Sequence, residues 1–168
     1  MIEHAAVRQS GTRDALLAIG VGGFFAGALD LLQACIQLGW DIPLFIAAGL
    51  LGAKAEQGGV GTYLLGVFLH FFIAFSAAAI YYAASRRLQF MNQYPLLCGM
   101  YFGGTVRLVM HLIVLPLSAL HATGPLSIRD LLWGLLQKGV VVGLPIAYSV
   151  RHFASRGPRL GEIQRPRV

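Results

Sequence analysis

The chain of 168 residues is 57% hydrophobic and only 12% charged, about half the charge fraction of a soluble domain. With a mean hydropathy of +0.68 and too little mass to hide its apolar area, it calls for lipid as its solvent. A net charge of +6 would suit nucleic acid, but the basic residues mostly gather at the chain ends and in one short loop. No basic stripe interleaved with aromatics occurs, which argues against a nucleic-acid partner.

The first 14 residues carry Arg8 and Arg13 and read as a short flanking segment. Ala15 to Trp40 is the first of four stretches long and apolar enough to span about 30 Å of hydrocarbon, which takes roughly 20 helical residues. Ala26-Gly27-Ala28 resembles a leader cleavage site, yet the apolar run continues through Leu31, Leu32 and Ile36, so an uncleaved anchor is expected. The connection from Asp41 to Gly59 holds a second apolar piece, Leu44 to Ala53, which is too short to cross. Pro43 offers it a helix start and Gly58-Gly59 a stop, predicting a short interfacial or re-entrant helix.

The second span is predicted over Val60 to Ala84, and the loop from Ser85 to Tyr94 carries Arg86 and Arg87. The third runs from Pro95 to Leu120 and the fourth from Leu131 to Val150, joined by His121 to Asp130. Pro116 and Pro145 are expected to kink the last two spans and free backbone carbonyls. Residues 151–168, with Pro158, Pro166 and five arginines, read as a disordered basic tail resting on anionic lipid.

Arg8, Arg13, Arg86, Arg87, Arg151, Arg156, Arg159, Arg165 and Arg167 fall on one side, against Lys54 and Arg129 on the other. This nine-to-two bias predicts both termini and the middle loop in the cytoplasm of a bacterial-type inner membrane, and argues against a dual-topology dimer. Trp40, Tyr63 and Trp133 then mark the outer interface, and Tyr81, Tyr82, Tyr94 and Tyr148 the inner one. Small residues recur four apart at Gly23 and Gly27, Gly99 and Gly103, and Gly139 and Gly143, with Ala74 and Ala78 as a weaker pair. Such pairs let helix backbones approach closely where lipid removes the hydrophobic drive. The expected fold is an all-α membrane protein, a four-helix bundle over residues 15–150. Cys35 and Cys98 fall near opposite ends of their spans, so a disulfide is not expected.

Four strings carry a resemblance: Gly-Leu-Leu-Gly-Ala-Lys-Ala-Glu-Gln-Gly-Gly from Gly49 to Gly59, Leu-His-Phe-Phe-Ile-Ala from Leu69 to Ala74, Ala-Ile-Tyr-Tyr-Ala-Ala-Ser-Arg-Arg from Ala79 to Arg87, and Val-Leu-Pro-Leu-Ser-Ala from Val114 to Ala119. With these the chain resembles a family of small uncharacterised bacterial membrane proteins with four predicted spans. The resemblance implies a compartment and no activity. It also implies that Asn often stands where this chain has His111.

Five ionisable residues fall inside the spans: Asp30, His70, Arg107, His111 and Lys138. Counted from the inner ends they share a depth of roughly 15 to 21 Å. A charge at that depth costs several kcal/mol unless it pairs or meets water, so they read as one intramembrane polar layer, which Gln33 and Gln137 extend. Asp30 is the only acid in a span, and the planar fork of Arg107 makes it the expected partner, with Lys138 competing. Lys138 has the alternative of snorkelling to the headgroups. Arg107 and His111, four apart, share a helix face.

A small transport or translocation component whose substrate meets this layer is the leading expectation, membrane lipid and a homo-oligomer or larger complex being its partners. With the histidines neutral, the excess positive charge suits a carboxylate, phosphate or anionic headgroup. No span repeats another and no paired broken helices are evident, which leaves alternating access without symmetry support. The second expectation is a structural or accessory subunit in which the polar layer is interhelical glue. A b-type haem between His70 and His111 is a minor third. No metal or other cofactor motif occurs. Without HExxH, CxxC, GxSxG or a phosphate loop, no enzymatic activity is expected.

Overall fold

The computed structural model describes residues 2–121 and 127–154, with side chains from Thr12 to Phe153. The tail beyond Ala154 and most of the loop between the last two spans, residues 122–126, lie outside the described residues, as do the side chains before Thr12. The chain is helical, with no strand among the described residues.

Helix α1 covers Ile2–Leu38 and α2 Ile42–Leu51; α3 covers Val60–Arg87 and α4 Phe90–Gln93. Two further long helices, α5 over Pro95–Leu117 and α6 over Ile128–Phe153, complete the chain. The segments Thr12–Leu38, Val60–Arg87, Pro95–Leu117 and Ile128–Phe153 are each long and apolar enough to cross a membrane.

Several ends differ from the expected ones for local reasons. Helix α1 stops two residues early because Gly39 turns the chain at φ 109°, its N–H closing on the Cys35 carbonyl, a conformation that favours glycine. Helix α5 stops at Leu117 because Ser118 is extended and its hydroxyl donates to the Leu115 carbonyl. Helix α6 begins three residues before the expected Leu131. Ser127 caps it, its hydroxyl oxygen accepting from the Asp130 N–H, and Asp130 places a negative charge in the first turn.

The packing inverts that of a soluble protein. Ala18, Ala26, Ala78, Ala147 and Ile146 lie at the centre with Tyr81, while Phe68, Phe72, Leu64, Ile80, Leu132 and Trp133 face outward. Between 11% and 33% of each span's most apolar window is buried, so the large apolar side chains coat the surface. Small residues inside and large ones outside suit helices whose partner on the outside is hydrocarbon.

Glycines decide which helices meet. A Cβ on Gly23 would lie 2.5 Å from the Phe75 ring and one on Gly27 3.0 Å from Phe71, so α1 receives α3 there. Gly22, beside them, receives the α6 backbone at Ile146. The Gly99 and Gly103 face of α5 meets α6, where a Cβ on Gly143 would fall 1.8 Å from the Gly99 carbonyl oxygen. The lateral order is therefore α3, α1, α6, α5, and the expected partnership of the first and third spans gives way to two separate seams. Helices α3 and α5 approach through the Tyr81 and Phe102 rings, 5.0 Å apart and edge to face.

Helix α2 folds back onto α3. Gly66 makes this approach possible, because a Cβ there would fall 1.7 Å from the Pro43 carbonyl oxygen. Gly52, at φ 86°, ends the helix, and the Ala119 N–H donates to the Gly49 carbonyl at 2.8 Å, tying α2 to the end of α5.

Both prolines act on the turn before them. In α5 the residues Met110–Val114 widen into a π turn, with the Leu115 N–H reaching back five residues to the Met110 carbonyl. In α6 the residues Gly139–Gly143 do the same, the Leu144 N–H reaching the Gly139 carbonyl. In each case the next residue is proline, Pro116 or Pro145, which has no N–H to donate and whose ring crowds the carbonyl four residues back. One inserted residue relieves that crowding while the helix continues.

Candidate functional site

The polar residues meet in a cavity of about 230 Å³ between the four long helices, in the half of the bundle nearer α2. Asp30 enters from α1, His70 from α3, Arg107 from α5 and Lys138 from α6, and Ile42 and Ile46 of α2 add to the wall. His111 is absent from the lining, as are Gln33 and Gln137. The shared depth that their positions suggested thus gathers four of the five ionisable residues.

Asp30 pairs with Lys138, whose ammonium donates to Oδ1, and the expected pair with Arg107 does not form. The side chains are 14% and 23% exposed respectively, so Lys138 turns into the bundle instead of running along its helix to an interface. Seam order explains the exchange: α1 lies against α6, whereas α5 lies on the far side of α6. The flexible stem of Lys138 spans what remains of the gap.

Arg107 is seated differently. Its guanidinium packs at Gly134, where a Cβ would fall 2.9 Å from Nε. Nε is buried without a hydrogen-bond partner, and the side chain forms no ion pair among the described residues. The relation is reciprocal, since Gly103 of α5 opens onto the backbone of Lys138. Each basic residue follows its own helix's glycine by four positions, and each is followed within a turn by a π segment. Helices α5 and α6 thus share a local device that their sequences show only as Gly-x-x-x-Arg and Gly-x-x-x-Lys, each followed by Leu-Pro. That the irregularity expected at Pro116 and Pro145 would take the form of π turns was not evident from the sequence, because a π turn leaves no composition signal of its own.

His70 donates from Nε2 to the Gly27 carbonyl at 2.9 Å, one turn before Asp30, which orients the ring toward α1 and leaves Nδ1 as its second nitrogen. Phe71 meets the imidazole edge to face. His111 lies in the π turn of α5 and forms no hydrogen bond among the described residues. The cavity therefore admits His70 alone, and the two histidines do not face one another across it, as axial haem ligation would require. Among the described residues no three His, Cys, Asp or Glu side chains cluster as a metal site would need. Both cysteines are free thiols.

Counting the imidazole as neutral, the pair of Asp30 and Lys138 cancels and Arg107 leaves the cavity with one uncompensated positive charge. The rest of the lining is apolar, including Leu38, Ile73, Leu115 and Val142. No protein family, curated protein or solved structure matches the chain.

Proposed function

We propose that the chain is a multi-pass inner-membrane protein with both ends in the cytoplasm, acting as a small transport or translocation component whose substrate meets the cavity. The observation that carries this role is the buried Nε of Arg107, which has no hydrogen-bond partner, on a side chain that lines the cavity. An uncompensated charge in hydrocarbon costs several kcal/mol, so a purely structural bundle would do better with leucine there. The two π turns support the same role, because such turns concentrate where helices bind or move. The nine-to-two charge bias supports the orientation, and the resemblance to small bacterial membrane proteins supports the compartment.

The closed pair of Asp30 and Lys138 favours a second role, in which the bundle is an accessory subunit and its polar residues are glue between α1 and α6. Access to the cavity separates the two. With Cys35 and Cys98 replaced by alanine, a cysteine at Ala34, on the cavity wall, is expected to react with a small impermeant thiol reagent in right-side-out vesicles and again in inverted ones. Protection from both faces removes the transport role and leaves glue. A cytoplasm-only reporter is expected to be active after Arg87 or Val168 and silent between His121 and Asp130; the opposite pattern overturns the orientation.

A further inference from the structure

From the contents of the cavity we infer the class of its ligand: an amphiphile bearing a single negative oxyanion, a carboxylate or a phosphodiester, attached to an apolar body. This inference rests on the cavity being a binding site, as the transport role also requires.

Charge balance excludes most alternatives. Lys138 is committed to Asp30, so the one charge left to answer is that of Arg107, and a monoanion neutralises it. A cation would add to the imbalance. A zwitterion would bring an ammonium for which the only carboxylate on the wall is already taken. A phosphomonoester dianion would leave one negative charge without a partner. The guanidinium presents its donors in a plane, the geometry that holds a carboxylate or phosphate through two parallel hydrogen bonds.

The walls determine the rest of the molecule. Apart from the charged residues and His70 the cavity wall is apolar, with Leu38, Ile42, Ile46, Ile73, Leu115 and Val142, and offers a sugar or peptide few groups to bond. The volume of about 230 Å³ holds about eight water-sized groups. That suits a headgroup with the start of a chain, or a short-chain acid, and is too small for a whole lipid.

The test uses the full chain in dodecyl maltoside and follows its thermal unfolding with hexanoate, hexanol, hexylammonium or a short-chain phosphatidylglycerol. Hexanoate at ten times its Kd is expected to raise Tm by roughly 3 to 6 °C, with hexanol and hexylammonium giving no comparable rise. Arg107→Leu should lose the shift and Arg107→Lys keep part of it, which separates loss of binding from loss of folding. A shift from hexanoate alone assigns a free acid, and one from phosphatidylglycerol alone a lipid headgroup; a shift from both supports the shared class. Equal shifts from hexanol or hexylammonium, shifts that survive Arg107→Leu, or no shift from either anion overturn the inference. If Ala34→Cys is labelled from both faces while no anion binds, the ligand class falls and the transport role stands. If an anion binds while Ala34→Cys is protected from both faces, transport falls and the ligand class stands.

Discussion

Between the Arg86 end and its middle the bundle is packed solid, while between the middle and α2 its helices part around a cavity. In the solid half, Ala18, Ala78, Ala147 and Val150 are buried with Tyr81 in one core. In the hollow half, the same helices carry Asp30, His70, Arg107 and Lys138, and the π turn of α5 begins on its wall at Met110. Small side chains fill space efficiently when no charge must be housed. Long charged ones hold helices apart, and whatever volume they leave unfilled is lined by their own stems and by aliphatic neighbours. The difference between the halves is thus one of what each must enclose, since the helices run through both.

The largest effect is expected from removing one member of the ion pair. Asp30→Leu or Lys138→Leu alone strands a part-buried charge and should cost about 3 kcal/mol, whereas the double change should recover most of it. Chemical or thermal unfolding in detergent measures the cycle, and additive, mild single effects would mean that the pair does not hold the hollow half together.

Next in size is the glycine seam. Gly143→Ala places a Cβ 1.8 Å from the Gly99 carbonyl oxygen, forcing α5 and α6 apart at a cost of about 1 to 3 kcal/mol. Gly20→Ala, which meets nothing within 4 Å, is the matched control and should stabilise its helix by up to about 1 kcal/mol. If both changes behave alike, close backbone approach is not what sets this seam.

Arg107→Leu should change stability by less than about 1 kcal/mol, or raise it, because no partner is left stranded. A loss as large as that of Asp30→Leu would show that Arg107 has a structural partner after all. The smallest effect belongs to the solid half, where the Ser149 hydroxyl donates to the Ala18 carbonyl at 2.9 Å. Ser149→Ala should cost about 0.6 kcal/mol, the usual worth of a hydrogen bond between membrane helices. A cost above 2 kcal/mol would place more of the bundle's stability in polar contacts than its packing implies.

Much of the helix framework was legible in the sequence, because a run of some twenty apolar residues leaves a chain in lipid one economical conformation. Val60 and Pro95 open their helices where expected, and Leu44 to Ala53 was recognised as too short to cross, shifting by two residues to Ile42–Leu51. The start of α6 was missed although Ser127-x-x-Asp130 carried the signal. The π turns were half visible: Pro116 and Pro145 marked where α5 and α6 would be irregular, without saying that a widened turn would replace a kink.

Which of Arg107 and Lys138 would pair with Asp30 was not legible, and the reason is geometric. Gly23 and Gly27, Gly99 and Gly103, and Gly139 and Gly143 each announce a close approach, but a small residue accepts a backbone, a phenyl ring or another glycine equally well. The choice rests on the whole set of contacts at once: Phe71 and Phe75 fill the grooves of α1, so the α5 glycines are left to meet α6. Once that order is set, Lys138 falls beside Asp30 and Arg107 falls against Gly134. Composition and periodicity alone determined that four helices long enough to span would form and that their charges would lie at one level. Only the tertiary packing decided which charge is paired and which is left facing a cavity, because helical spacing specifies height along each axis, while side-chain volume between helices specifies which faces meet.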